Sequence, residues 1–203
     1  MSRDVKSYKL LEAAAPRAVV SSTNASPIVV TTGTHGYETG QKITLFGHLV
    51  NTNANGTWVI TVLSSTTFEL NSSTGNGVGG ATGVYSEQSK YAFAGDHRNV
   101  VLSFDTDGGG DAAMTVKCVG SIQKDPPDFA APQAADNQYE YIDMIDLQDG
   151  SALDGDTGFI VAAADDHRMF EVNINGLRWI AVIPIAGTAG EITVNARLFN
   201  NTR

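Results

Sequence analysis

The sequence predicts an all-β protein: a β-sandwich body of jelly-roll-like type with a small β-barrel domain inserted into it. Three observations carry this prediction. The chain has 21 glycines, many Thr, Val and Ile, and only 17% charged residues, which suits short strands joined by tight turns. Almost no window has sustained helical periodicity. Composition changes sharply near residue 20 and near residue 86, and the segment between is nearly uncharged and rich in Thr, Ser, Asn and Gly.

The expected division follows. Residues 1–20 and 87–203 form a discontinuous sandwich body, and residues 21–86 form the barrel. A domain can be inserted at a surface turn when its own ends lie close together, as those of a small closed barrel do.

The body opens with a strand over Ser7–Ala13. In the inserted segment, Ile28–Thr32 and Gln41–Phe46 alternate as strands. Thr57–Leu63 and Thr66–Leu70 read as a hairpin closed by Ser64 and Ser65. Trp58 and Phe68 are the natural core residues of so small a barrel. Asn71–Gly83 is a glycine-rich exit that should loop back toward the entry. The body resumes with strands over Lys90–Ala94, Asn99–Asp105, Ala112–Ile122, Tyr139–Ile145, Gly158–Ala163, Arg168–Ile174, Trp179–Ile185 and Glu191–Phe199. That many short strands with turn signals between them suggest a sandwich.

Composition bounds the rest. The chain has 203 residues, 42% of them hydrophobic, enough for a packed core. No apolar run is long enough to span a bilayer, so no membrane partner is expected. The start, Met1 to Tyr8, has no apolar signal-peptide core, so synthesis in the cytoplasm without general export is expected. The single cysteine, Cys118, has no internal disulfide partner, and its apolar surroundings predict a buried, inert thiol.

Net charge is −9 and uneven. Residues 87–203 hold 18 acids and 8 bases, residues 21–86 hold 2 acids and 1 base, and residues 1–20 hold 2 acids and 4 bases. An acidic body argues against direct nucleic-acid binding, which needs a positive field along the phosphates. The basic start, with Arg3 and Lys6, is either a docking arm or a solvated tail.

No motif outweighs its plainer reading. Asp143, Asp146, Asp149, Asp154 and Asp156, with Gly150 and Gly155, could offer calcium several oxygens. Their spacing does not match the helix-loop-helix calcium loop, and Asp-Gly turns are the preferred reading. Asp165, Asp166, His167 and Arg168 hold an acid and a histidine, but no Gly-x-Ser-x-Gly pattern supplies a nucleophile, and a surface turn is preferred. His35, His48, His97 and His167 lack metal-ligand spacing. Gly108 to Asp111 lacks the helix start and lysine of a phosphate cradle and reads as a hairpin loop. Trp179, Tyr139, Tyr141, Phe170 and Phe199 would form a sugar-binding platform if exposed, but alternation assigns most of them to packing. Asp125-Pro-Pro-Asp-Phe and Ala130-Ala-Pro-Gln make a long proline-rich crossing, either structural or a subunit contact. No catalytic, cofactor-binding or metal-ligating residues are assigned.

Two stretches resemble known families. His35-Gly-Tyr-Glu-Thr-Gly-Gln-Lys-Ile-Thr-Leu, Asn51-Thr-Asn-Ala-Asn-Gly-Thr-Trp-Val-Ile-Thr-Val and Thr67-Phe-Glu-Leu-Asn-Ser-Ser-Thr-Gly-Asn-Gly resemble a β-barrel module of tailed-bacteriophage virion proteins. That module is labelled after the first catalytic-cysteine half-domain of ubiquitin-activating enzymes. Residues 21–86 contain no cysteine, so the label carries none of that chemistry. Residues 97–199 resemble a small structural protein of tailed phages. The carriers are Val100–Thr106, Gly120–Phe129, Asp146–Ser151, Asp154–Gly158, Asp165–Arg168 and Glu171–Leu177.

The resemblance implies a non-enzymatic virion protein without cofactors, and first a capsid decoration or cement protein. A tail component (baseplate, tube-decorating or fibre-adaptor protein) and a carbohydrate-binding module for host attachment are the alternatives. Expected partners are the major capsid protein or tail proteins, with the chain itself a symmetric homo-oligomer in the particle. Expected contact residues are Arg3, Lys6, Pro126, Pro127 and Phe129, with the sandwich as docking body and the barrel as a projecting module.

Overall fold

The computed structural model describes residues 5–14, 17–87, 90–107, 114–129, 138–161, 167–186 and 191–200. The strands are β1 (Val5–Ala14), β2 (Arg17–Ser22), β3 (Ile28–Thr32), β4 (Lys42–Phe46), β5 (Gly56–Ser64), β6 (Thr67–Leu70), β7 (Val84–Glu87), β8 (Tyr91–Phe93) and β9 (Asn99–Asp107). They continue with β10 (Met114–Ser121), β11 (Glu140–Tyr141), β12 (Met144–Asp146), β13 (Ala152–Leu153), β14 (Phe159–Val161), β15 (His167–Asn173), β16 (Trp179–Ala186) and β17 (Glu191–Phe199). Among the described residues the helical structure is one 3-10 turn, Thr52–Ala54.

β2, β3, β6, β5, β4 and β7 close into a barrel in that order. Its core is Val19, Ile28, Val30, Ile43, Leu45, Ala54, Ile60, Phe68, Leu70 and Tyr85. Phe68 is fully buried, while Trp58 packs against this core half-buried and donates its indole N–H to the Ala54 carbonyl at 2.8 Å. The hairpin β5–β6 turns at Ser65 and Thr66, one residue later than the expected closure at Ser64 and Ser65, because Ser64 still belongs to β5. The exit after β6 returns to the entry: Ser22 and Gly79 exchange backbone hydrogen bonds, and the Val19 N–H reaches the Gly83 carbonyl.

The body is a two-layer sandwich. One sheet has the order β1-β17-β9-β15-β12-β13; the other runs β11-β10-β16-β8, with β14 also paired to β10. Alternation fills the space between them. Val100, Leu102 and Phe104 of β9, Ile192, Val194, Ala196 and Leu198 of β17, and Val116, Cys118, Ile180 and Val182 from the facing sheet share one core. Phe104, Phe159 and Phe170 meet edge-on or tilted, with ring centroids 5.0–5.4 Å apart.

The opposite parity of the five-stranded sheet faces the barrel. Val119 of β10 and Ala181 and Ile183 of β16 point away from the sandwich core and join Phe46 of β4, Val84 of β7, Phe129 and Tyr139 in a third buried cluster. The barrel is thus seated on the sheet through one of its walls, and the layers run barrel, five-stranded sheet, six-stranded sheet.

Candidate functional site

The proline-rich crossing is where the chain commits its most specific contacts. Asp128 lies beside the barrel wall, and its carboxylate accepts from the Thr57 backbone N–H at 2.8 Å and the Thr57 hydroxyl at 3.1 Å. Phe129 packs on Tyr139 with ring centroids 5.6 Å apart, and both are buried. Burial and the neighbouring Tyr141 and Asp128 raise the Tyr139 phenol well above its ordinary range. Gly47 and Gly83 hold the seam. Both have positive φ (66° and 82°), and a Cβ on Gly83 would meet the Phe46 carbonyl at 2.6 Å. Only glycine fits both demands.

The expected contact residues therefore fall in different places. Pro127 and Phe129 are buried within the chain, Pro126 is half-buried, and Lys6 lies 4.0 Å from Asp96 in an exposed pair. Arg3 lies outside the described residues. The barrel does not simply project, because Phe46 and Val84 bind it to the body.

A polar network that local sequence did not reveal closes one end of the barrel. Ser22 Oγ and His48 Nε2 are 2.7 Å apart, and His48 Nδ1 lies 2.6 Å from the Thr82 carbonyl. A carbonyl only accepts, so Nδ1 donates to Thr82, whose hydroxyl also lies 2.9 Å from it, and in the neutral ring Nε2 then accepts from the Ser22 hydroxyl. Asn51 donates to Ser22 Oγ at 3.0 Å and to the Thr23 carbonyl at 2.9 Å, while its own carbonyl accepts from the Asn76 N–H at 3.0 Å. This resembles a serine–histidine pair in distance alone. Ser22 is 2% exposed and His48 1%, and a Cβ on Gly79 would lie 2.0 Å from His48 Nε2. A substrate has no room to reach the hydroxyl. The network joins β2 to the loops at 47–55 and 71–83. No spacing rule could have found it, since the partners lie 25 to 34 residues apart.

The acidic stretch is a set of closed turns. Asp143 accepts from the Gly155 N–H, Asp149 from Ser151, Asp154 from Asp156 and Asp146 from Gln148, each at 2.8 Å. Asp146 also pairs with Arg168 at 2.6 Å. The bonds from Ser151 hold the Asp149 carboxyl below its usual value. Among the described residues no three His, Cys, Asp or Glu gather to hold a metal ion.

His167 pairs with Asp105 at 3.1 Å on the surface, and Asp165 and Asp166 lie outside the described residues, as does Gly108 to Asp111. His35 stacks on Tyr37 and meets Phe68 edge-on in the barrel, and His97 is buried in the turn before β9. Cys118 is fully buried, and desolvation pushes its thiol up to about 12.

The aromatic residues divide. Phe170 is core, Tyr139 is junction, and Tyr141 lies under Lys117 Nζ at 4.1 Å. Trp179 of β16 is flanked edge-on by Tyr91 and Phe93 of the neighbouring end strand β8, and its indole N–H donates to the Gln123 carbonyl at 3.0 Å. Phe199 lies on the outer face of the six-stranded sheet, where an open groove of about 740 Å³ runs across β1, β17, β9 and β15. Among the described residues no helix is long and apolar enough to cross a membrane.

No family model and no curated protein matches the chain. Among the solved structures similar to this chain are two phage-derived proteins. One, described as the SPBc2 prophage-derived protein YomS, has 10% identity and a TM-score of 0.39, over 56% of this chain and 80% of that one. The other, the PBSX exported protein XepA, has 11% identity and a TM-score of 0.38, over 97% of this chain and 81% of that one.

Proposed function

We propose that this chain is a non-enzymatic structural protein of a tailed-phage virion and, within it, a capsid decoration or cement protein that binds the shell and stabilises it. The residues carrying the sequence resemblance support this reading, because those the structure describes are framework. Val100–Thr106 is a central strand, Asp128 and Phe129 fasten the barrel to the body, and Asp146–Ser151 and Asp154–Gly158 are turns closed on their own amides. The observation that carries the proposal is the buried junction of Phe46, Val84, Val119, Phe129, Tyr139, Ala181 and Ile183. It fixes two modules as one block, the form a load-bearing lattice component needs. Binding over a symmetric shell sums modest contacts by avidity. The partners are then the major capsid protein and further copies of this chain, with Lys6 and Pro126 the remaining described candidates for contact.

A tail component meets the same description. A carbohydrate-binding module is favoured by one observation, the Tyr91–Phe93–Trp179 group, in which Tyr91 is 46% exposed.

Immunogold electron microscopy of the source phage with antibody to the purified chain tests the reading. Label over heads is expected. Label confined to tails replaces decoration by the tail reading, and no label on intact or opened particles overturns both. Glycan binding that is lost in Trp179→Ala selects the attachment module.

A further inference from the structure

The barrel covers the outer face of the five-stranded sheet, but the outer face of the six-stranded sheet carries no such cover from the described residues. Its side chains can be laid out from the strand register. Glu171, Val101, Arg197 and Ser7 form one row across β15, β9, β17 and β1, and Met169, Ser103, Asn195 and Lys9 form the next. Ile145 is opposite Glu171, and Leu147 donates its N–H to the Met169 carbonyl. Met169, Ile145 and Leu147 are 54%, 48% and 44% exposed, and Val101 and Phe199 are half-buried. Large apolar side chains at this exposure, in adjoining rows, mark a contact surface.

The charges on this face are sorted by strand. Lys9 and Arg197 stand on β1 and β17, and Glu171 and Asp105 stand on β15 and β9, where Asp105 already pairs with His167 of β15 and Glu171 is the acid offered to a partner. One half is basic and the other acidic, in a chain whose residues 87–203 carry a net −10. Such a face suits itself. A twofold axis along the strands, between β17 and β9, lays β1 over a second copy's β15 and β17 over its β9. Lys9 and Arg197 then come within one strand or one residue pair of the partner's Glu171, while Met169 and Val101 cover the stems of the partner's Lys9 and Arg197. Elsewhere two acidic bodies repel.

We propose that the outer face of the six-stranded sheet is a self-complementary interface that pairs two copies of this chain about a twofold axis. With strands about 4.8 Å apart and about 30 Å long, the four strands β1, β17, β9 and β15 offer about 600 Å² per copy, at the low end of specific interfaces, and Ile145 and Leu147 on the β12 side flank this footprint rather than lie under it. The pair is therefore a reversible one. Self-association through this face needs no virion, so its failure and the failure of the virion reading are separate results.

Sedimentation velocity of the full chain, from about 1 µM to about 1 mM, reads it directly over the range expected of a small interface. The expected result is a concentration-dependent shift from the 21.4 kDa chain to twice that mass. Glu171→Arg alone, and Lys9→Glu with Arg197→Glu, should each weaken pairing at least tenfold. Mixing the two variants should restore it as a heterodimer, which also proves that both fold. Met169→Glu should weaken pairing without a charge-swap rescue. A monomer at every concentration, an assembly indifferent to these substitutions, or a closed ring of another order would overturn the proposal.

Discussion

The barrel and the body solve the same problem, a small all-β core, by different means. The barrel closes on itself and so exposes no strand edge. It is nearly uncharged, and its loops are tied by buried side-chain hydrogen bonds from Ser22, His48 and Asn51. The body leaves its sheets open at β1, β13, β11 and β8, buries few polar side chains (His97, Thr106, Ser121 and Asp146 among the described residues), and spends most of its carboxylates on turns and ion pairs. The difference shows where each can tolerate change. A closed barrel depends on its polar loop ends as much as on its apolar interior. An open sandwich depends on its apolar core and leaves its surfaces for partners.

The largest effects should come from the two cores. Phe104→Ala in the body and Phe68→Ala in the barrel should each cost about 3–5 kcal/mol. Trp58 in the barrel and Trp179 in the body report separately, so denaturation followed in Trp58→Phe and Trp179→Phe backgrounds distinguishes the two units. With the junction intact, both probes should show one transition.

Phe129→Ala should cost about 2–4 kcal/mol and split that transition in two, because it empties the shared cluster without touching either core. A single transition in that variant would show that the strand connections alone couple the modules.

Next is the barrel's polar end. Ser22→Ala leaves the buried His48 Nε2 without its hydrogen-bond partner and should cost about 1–3 kcal/mol. The Trp58 probe should move and the Trp179 probe should not, once the junction has been weakened by Phe129→Ala.

The body should be the alkali-sensitive partner. The Cys118 thiol is raised from 9.0 to about 12 by burial, and Tyr139 and Tyr141 are raised as well. Groups raised in the folded state hold their protons there while the unfolded chain loses them, so stability is full below pH 9 and falls as pH rises. For the thiol the slope is about 1.4 kcal/mol per pH unit between pH 9 and 12. Urea titrations across this range should show the slope, and Cys118→Ala should remove the thiol's share. The smallest effect belongs to Lys6→Ala, below about 0.5 kcal/mol, because the pair with Asp96 is long and exposed.

Strand alternation was legible wherever one face met a core and the other met water. β3, the β5–β6 hairpin, β9, β15 and β17 all lie close to their expected spans. β7 was not legible. Val84, Tyr85 and Ser86 are all buried, since one face looks into the barrel and the other toward the junction, so no alternation marks the strand. β2 was missed because Arg17–Ser22 sits at a compositional boundary and buries little besides Val19 and Ser22. The expected strand over Tyr139–Ile145 is split into β11 and β12, which join opposite sheets.

By itself the sequence determined the all-β class, the nearly uncharged segment 21–86, the acidic charge of residues 87–203 and the inert thiol, because these follow from composition and two-residue periodicity. Tertiary structure alone decided that Phe129 faces inward, that Ser22 meets His48, and that Glu171 and Arg197 share a row. Each of these depends on register between strands distant in the chain. Register is set by the packing of whole faces rather than by any local pattern.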